Sequence, residues 1–424
     1  MSFTNTLDYA RAQDLADPLR TMRARFHMPQ YAGEDVIYFT GNSLGLQPKT
    51  TQAYLQQELD AWATYGVEGH FMGKTPWLGY QELLTQNMAD IVGAMPQETI
   101  MMNHLTVNLH LLMVSFYRPT PKRFKILCEA KAFPSDQYAV QSQIKFHGQI
   151  HGRSVEEALV EIEPRSGEHA LRHEDILAAI ERHKDSLALV MLGGVNYFTG
   201  QVFDIAGIVE AGHRAGAIVG IDLAHGAGNI DLKLHDWQVD FAAWCSYKYL
   251  NSGPGGVAGA FVHERHLANT HLPQFAGWWG HEKATRFLMD KTFVPMDTAE
   301  RWQISNAPVL SMAACRASLD MFAEVGMVAL VQKSQLLTGY LEFVIGELNK
   351  THTNCLEIIT PRERRGCQLS IVAHGFGKPL LDKMMANGIL PDWREPNVIR
   401  CAPVPMYNSF EDVYRFGQIL DTLL

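Results

Sequence analysis

The residue types best suited to chemistry fall in two short stretches. Asp222-Leu223-Ala224-His225 follows the apolar run 217–221, which reads as a strand. Cys245-Ser246-Tyr247-Lys248-Tyr249 ends a second such run, 241–245, and leads into Asn251-Ser252-Gly253-Pro254-Gly255-Gly256, too rich in glycine for a helix. Open α/β sheets bind ligands at the carboxyl ends of their strands, so both stretches are placed to face a site. Taken singly, a strand-terminal Asp is usually a helix cap and a Lys before a glycine loop is usually solvated. Together they supply a lysine amine that can hold pyridoxal phosphate (PLP) as a Schiff base. They also supply a carboxylate that can keep the cofactor's ring nitrogen protonated, so that electrons from a substrate carbon drain into the ring.

The elements that must position these residues are legible from about residue 90 onward. Short apolar runs at 124–128, 187–192, 217–221 and 241–245 alternate with helical stretches, which predicts an α/β domain with a mostly parallel, covered sheet. The stretch 205–215 reads as a crossover helix entered after Asp204, with Ile205, Ile208 and Val209 on its apolar face and Gly216 as its C-cap. Residues 107–116 are apolar nearly all round and follow Thr106, which predicts a buried helix with a hydroxyl residue at its N-terminus. After Pro308 come two long helical runs and a mixed tail, so a smaller α+β domain is expected over 311–424, a large cofactor-binding domain over 61–310, and an N-terminal segment, 1–60, associated with the small domain. A chain of 424 residues is too long for one ordinary core.

Composition narrows the class. Lys plus Arg number 36 against 45 Asp plus Glu, with no basic block, which argues against nucleic acid as a partner. No apolar run reaches membrane-spanning length and the first residues lack a signal-peptide core, so no membrane partner is expected. Cys128, Cys245, Cys315, Cys355, Cys367 and Cys401 are scattered without Cys-x-x-Cys spacing, which predicts a reduced, cytoplasmic enzyme without a metal site.

From Gly41-Asn42-Ser43-Leu44-Gly45-Leu46 to Arg400-Cys401-Ala402-Pro403-Val404-Pro405-Met406-Tyr407 the chain resembles the kynureninase family, fold-type-I PLP enzymes. The resemblance implies that Leu105 and Thr106 form a phosphate-binding turn at a helix N-terminus, where N–H groups and the helix dipole favour an anion. It implies that Phe133-Pro134-Ser135-Asp136 stacks a ring on the cofactor and supports it with a carboxylate, that His225 lies near the cofactor, and that Tyr247 reaches the phosphate. Gly277-Trp278-Trp279-Gly280-His281 matches a family motif in which the tryptophan contacts the phosphate. That contact and one from Asn306 come from the neighbouring subunit, so a homodimer with active sites at the interface is implied. Arg400 matches the arginine that takes the substrate carboxylate, while His70, Asn306 and Ser43 match polar neighbours of the aryl ring, in the pattern of forms favouring 3-hydroxykynurenine. Gly193 departs from the Ser or Thr that similar sequences often carry near the cofactor ring.

The implied activity is hydrolysis of L-kynurenine or L-3-hydroxykynurenine, small-molecule substrates, to L-alanine and anthranilate or its 3-hydroxy form. Lys248 would remove the α-proton, Asp222 would support the ring, and Tyr247 would relay a proton to the β-carbon. Two other readings share parts of the motif set. A cysteine desulfurase or other aminotransferase-like enzyme would need a mobile cysteine, for which Cys355 or Cys367 would have to serve. A non-catalytic PLP-fold binding protein would have no use for Lys248, Asp222 and Arg400 together.

Overall fold

In the computed structural model, which describes residues 3–353 and 355–424, the alternating pattern closes into a seven-stranded sheet. Its strands are Thr99–Met101 (β1), Lys125–Glu129 (β2), Leu159–Ile162 (β3), Leu187–Gly193 (β4), Ile218–Asp222 (β5), Phe241–Trp244 (β6) and Gly259–Val262 (β7). Across the sheet they run β1-β7-β6-β5-β4-β2-β3. All pairs from β6 to β3 are parallel, and β7 is antiparallel to both β6 and β1. Every residue of β6 is buried, as expected for a parallel strand covered on both faces.

The crossover helix before β5 shows how local sequence sets this geometry. Asp204 caps it by accepting from the Gly207 N–H at 3.2 Å, and Ile205, Ile208 and Val209 are buried against the sheet. Burying each such side chain stabilises the fold by roughly 2 kcal/mol. Gly212 allows the helix to lie close on β5, since a Cβ there would stand 2.4 Å from Val219. The helix ends at Arg214 with Ala215 as its C-cap. Gly216, expected as that cap, follows it at φ 73°, where glycine avoids the left-handed penalty.

Two expected boundaries shift for identifiable reasons. Strand β5 covers 218–222 rather than 217–221, because parallel pairing with β4 continues to Gly193↔Asp222 and makes the aspartate the last strand residue. The buried helix begins at Leu105 rather than Val107, with His104 as N-cap and Thr106 inside the first turn. Asn103, at φ 50°, turns the chain two residues earlier than expected, and the Asn108 amide secures the turn by donating to the Met102 carbonyl at 2.9 Å.

A second sheet is antiparallel throughout: Leu356–Ile358 (β8), Leu369–Ala373 (β9), Asp392–Arg394 (β10) and Val398–Cys401 (β11), ordered β8-β9-β11-β10. Leu337, Leu341 and Val344 from helix Met327–Thr351 and Val413 and Phe416 from helix Phe410–Leu423 form its core, joined by Ala10 of helix Leu7–Ala16. Helix Val309–Val325 instead gives Met312, Cys315, Leu319 and Phe322 to the first core, since it packs on the helices spanning 51–65 and 82–92. The two cores therefore divide inside helix Met327–Thr351, with Leu330 in the first and Leu337 in the second. Met1, Ser2 and Asn354, which fall in the expected outer segments, lie outside the described residues.

Candidate active site

A cavity of about 400 Å³ opens at the carboxyl ends of β2, β4 and β5. It gathers Leu105 and Thr106 from the helix N-terminus, Phe133, Ser135 and Asp136 from the segment after β2, Asp222 and His225 after β5, and Tyr247 and Lys248 after β6. Ser43 reaches the same space because its segment docks on the lysine loop. The Gly45 N–H donates to the Tyr247 carbonyl at 2.8 Å, and a Cβ on Gly45 would lie 2.3 Å from the Lys248 carbonyl oxygen, a separation only glycine permits.

The Lys248 ammonium donates to His225 Nε2 at 3.0 Å, and its Nζ stands 5.9 Å from the centre of the Phe133 ring. Burial first, and then the cations Lys248, Arg400 and Arg394, hold His225 well below the usual histidine range, so its ring is neutral and able to accept that bond. Its other nitrogen, Nδ1, is buried without a partner among the described residues. Asp222 accepts from the Ala224 N–H at 2.6 Å and lies beside Asp136. Burial first, and then the adjacent Asp222, push Asp136 well above the usual carboxylate range. The Tyr247 phenol is also pushed up by burial and stays protonated.

The other expected residues lie outside this lining. Pro134 is the first residue of helix Pro134–His151, where its missing N–H costs nothing, and it aims the segment rather than facing the cavity. Arg400 is fully buried behind the wall, donating to the Tyr197 carbonyl at 2.7 Å and paired with Asp392. His70 lies in the 3-10 turn Gly66–His70, its Nδ1 3.0 Å from the Val67 carbonyl and its ring edge-on to Trp77. The Trp278 indole N–H donates to the Arg286 carbonyl at 3.0 Å within the same chain, and Asn306 is exposed.

Among the lining residues that the sequence reading gave no role are Glu129, Tyr197 and Arg394. Glu129 ends β2 as Asp222 ends β5, so the strand-terminal carboxylate that flagged Asp222 could have flagged it too. It is buried, accepts from the Asn196 amide at 2.7 Å, and is pushed up to about 7 by burial. Its Oε1 lies 2.9 Å from where a Cβ on Gly193 would stand, so the carboxylate borders the space left by that missing side chain. Tyr197 follows closely on the carboxyl end of β4, in the loop after Gly193, whereas Arg394 gave no local signal because it comes from β10 of the second sheet.

Residues 330–420 match the model of the kynureninase C-terminal domain. Over 422 residues the chain is 58% identical to a kynureninase of Flavobacterium psychrophilum, covering 99% of this chain and 98% of the relative. A kynureninase of Koribacter versatilis is 55% identical over 420 residues, covering 98% and 97%. The chain belongs to the kynureninase family. Kynureninases are hydrolases acting on carbon–carbon bonds, and that class replaces the desulfurase alternative. Among solved structures, a cystine C-S lyase matches with TM-score 0.74 at 17% identity, covering 91% of this chain and 97% of that one. The cysteine desulfurase CsdA of Escherichia coli matches with TM-score 0.73 at 16% identity, covering 96% and 98%. These likenesses show the shared fold of PLP enzymes. The cysteines here fit the kynureninase family better than sulfur chemistry: Cys367 is buried with its thiol pushed up to about 12, and Cys355 is absent from the cavity lining.

Proposed function

We propose that this cavity hydrolyses the side chain of L-kynurenine or L-3-hydroxykynurenine, with Lys248 holding PLP. The observation that carries the reading is the Lys248–His225 contact of 3.0 Å in the same cavity as the Asp136–Asp222 pair. The residues fit the cofactor. The helix starting at Leu105 has no side-chain cap, leaving its first N–H groups for a phosphate, and the unpartnered His225 Nδ1 offers a buried donor. When bound, PLP supplies an electron sink for the substrate α-carbon.

The chain's own groups do the rest. Lys248 would hold the cofactor through its amine and, as a basic group lining the cavity, would take the α-proton. Asp222, oriented by the Ala224 N–H and flanked by Asp136, would hold a proton on the ring nitrogen. Phe133 and Ser135 would flank the ring, and Leu105 and Thr106 would hold the phosphate. One water adds to the γ-ketone, the Cβ–Cγ bond breaks, and Tyr247, kept protonated by burial, delivers a proton to the β-carbon. L-alanine and the aminobenzoate leave. Arg400, buried behind the wall of the cavity and paired with Asp392, supplies positive charge toward the substrate carboxylate.

A homodimer belongs to this reading. Phe71, Trp278 and Phe287 are exposed yet touch one another, with ring centres 6.5 Å apart for Phe71–Phe287 and 5.5 Å for Trp278–Phe287. Such a patch beside His70 suits burial against a second copy, which would carry His70, Trp278 and Asn306 to the neighbouring cavity. Among the described residues no helix is long and apolar enough to cross a membrane, and all six cysteines are free. Six free thiols fit a reducing, cytoplasmic site of action. The test is incubation with L-kynurenine: anthranilate fluorescence should appear together with one equivalent of L-alanine, and sulfur or amino-group transfer without anthranilate would refute the assignment.

A further inference from the structure

The second sheet turns an unusual charge set toward the cavity. Strands β10 and β11 pair with Asp392 directly opposite Arg400, and Arg394, two residues from Asp392, shares its face. Asp392 pairs with both arginines, contacting Arg400 and lying 3.1 Å from Arg394. Two guanidinium charges against one carboxylate leave a single positive charge. The donors are incomplete in a matching way. Arg400 spends its terminal nitrogens on Asp392 and the Tyr197 carbonyl, and Arg394 spends its own on Asp392 and the Trp393 carbonyl. In both residues Nε is buried and has no partner among the described residues. Two buried, unpartnered N–H donors beside one uncompensated charge are costly unless an anion completes them. Arg394, unlike Arg400, lines the cavity itself.

We propose that Arg394 is a second carboxylate-binding arginine of this site, meeting the α-carboxylate of the amino-acid ligand from the cavity while Arg400 backs it, with Asp392 holding the two guanidinium groups in register. The proposal rests on the reading of the cavity as a kynurenine site, and it deepens that reading. A monoanion matches the residual charge. Arg394 thereby orients the substrate through its carboxylate rather than through its ring.

The experiment compares two ligands that differ only in that group. L-alanine and L-alaninamide are titrated into the PLP-loaded protein and followed by the change in visible absorbance, for the wild type, Arg394→Gln and Arg394→Lys. Arg394→Gln is expected to weaken L-alanine at least tenfold and L-alaninamide less than threefold, with Arg394→Lys between wild type and Arg394→Gln for L-alanine. Equal weakening of both ligands, unchanged L-alanine binding, or no preference of the wild type for L-alanine would each overturn the proposal. Should Arg394→Gln fail to load cofactor, the Arg394→Lys comparison decides on the same criteria. Anthranilate release from kynurenine by the same wild-type preparation is scored separately. Its absence would sink the kynurenine reading while leaving an Arg394-dependent carboxylate preference standing.

Discussion

Glu129 offers a quantitative check on the buried electrostatics of the cavity. Its carboxyl is buried at the end of β2, and desolvation pushes it from an ordinary 4.5 up to about 7, against the opposing hydrogen bonds from Asn196 and the Gly193 backbone. An acid whose pKa is higher in the folded state binds its proton more tightly there than in the unfolded chain. The stability this confers is present below pH 4.5 and is lost as pH rises toward 7. At 1.36 kcal/mol per unit, the loss amounts to roughly 3 kcal/mol. For 424 residues the unfolding entropy is about 0.9 kcal/mol/K, so the loss corresponds to roughly 3 °C in Tm. Glu129→Gln keeps the shape and removes the titration. Thermal melts of wild type and variant at pH 5, 6, 7 and 8 should therefore show the variant gaining about 3 °C relative to wild type between pH 5 and pH 8. A difference in Tm that stays constant over that range would refute the claim that Glu129 is held protonated by burial.

Lys248→Ala removes both the covalent anchor and the α-proton base, so turnover should fall by at least about four orders of magnitude, as for loss of a nucleophile acting as a unit with its base. Multiple turnover retained without added amine, measured by anthranilate fluorescence, would displace Lys248 from the mechanism. Replacing His70→Trp together with Asn306→Thr should lower kcat/KM for 3-hydroxykynurenine roughly tenfold to a hundredfold relative to kynurenine, through loss of partners for a desolvated ring hydroxyl. Equal losses for the two substrates would show that these residues only shape the pocket.

The chemistry at the strand ends was legible because it is local. Asp222 and Lys248 each follow an apolar run and precede a turn, and a parallel sheet delivers both to one edge whatever the remaining packing. Phe133 to Asp136 were singled out only by the family resemblance, since a Phe after a strand is more often plain core; the structure places them at the opening of a helix after β2. Helix and strand starts near Asn103 and Ala217 shifted by one or two residues, because side-chain bonds and pairing register extend regular structure past its apolar core.

What only the tertiary structure decided is which charges meet. Glu129 carries the same local signal as Asp222, but its raised pKa comes from burial by residues distant in sequence. Arg394 and Arg400 look alike in the chain, two cations near a strand end. The antiparallel register of β10 and β11 opposes Arg400 to Asp392 and places Arg394 at the cavity. The helix at 309–325 reads as the start of a second unit and instead completes the first core, since its partners lie more than two hundred residues earlier. Periodicity and strand-end residues are properties of neighbouring amino acids, so the sequence alone determined the α/β sheet and the lysine–aspartate pair. Desolvation and ion pairing are properties of distant surfaces brought together, and these only the folded chain could decide.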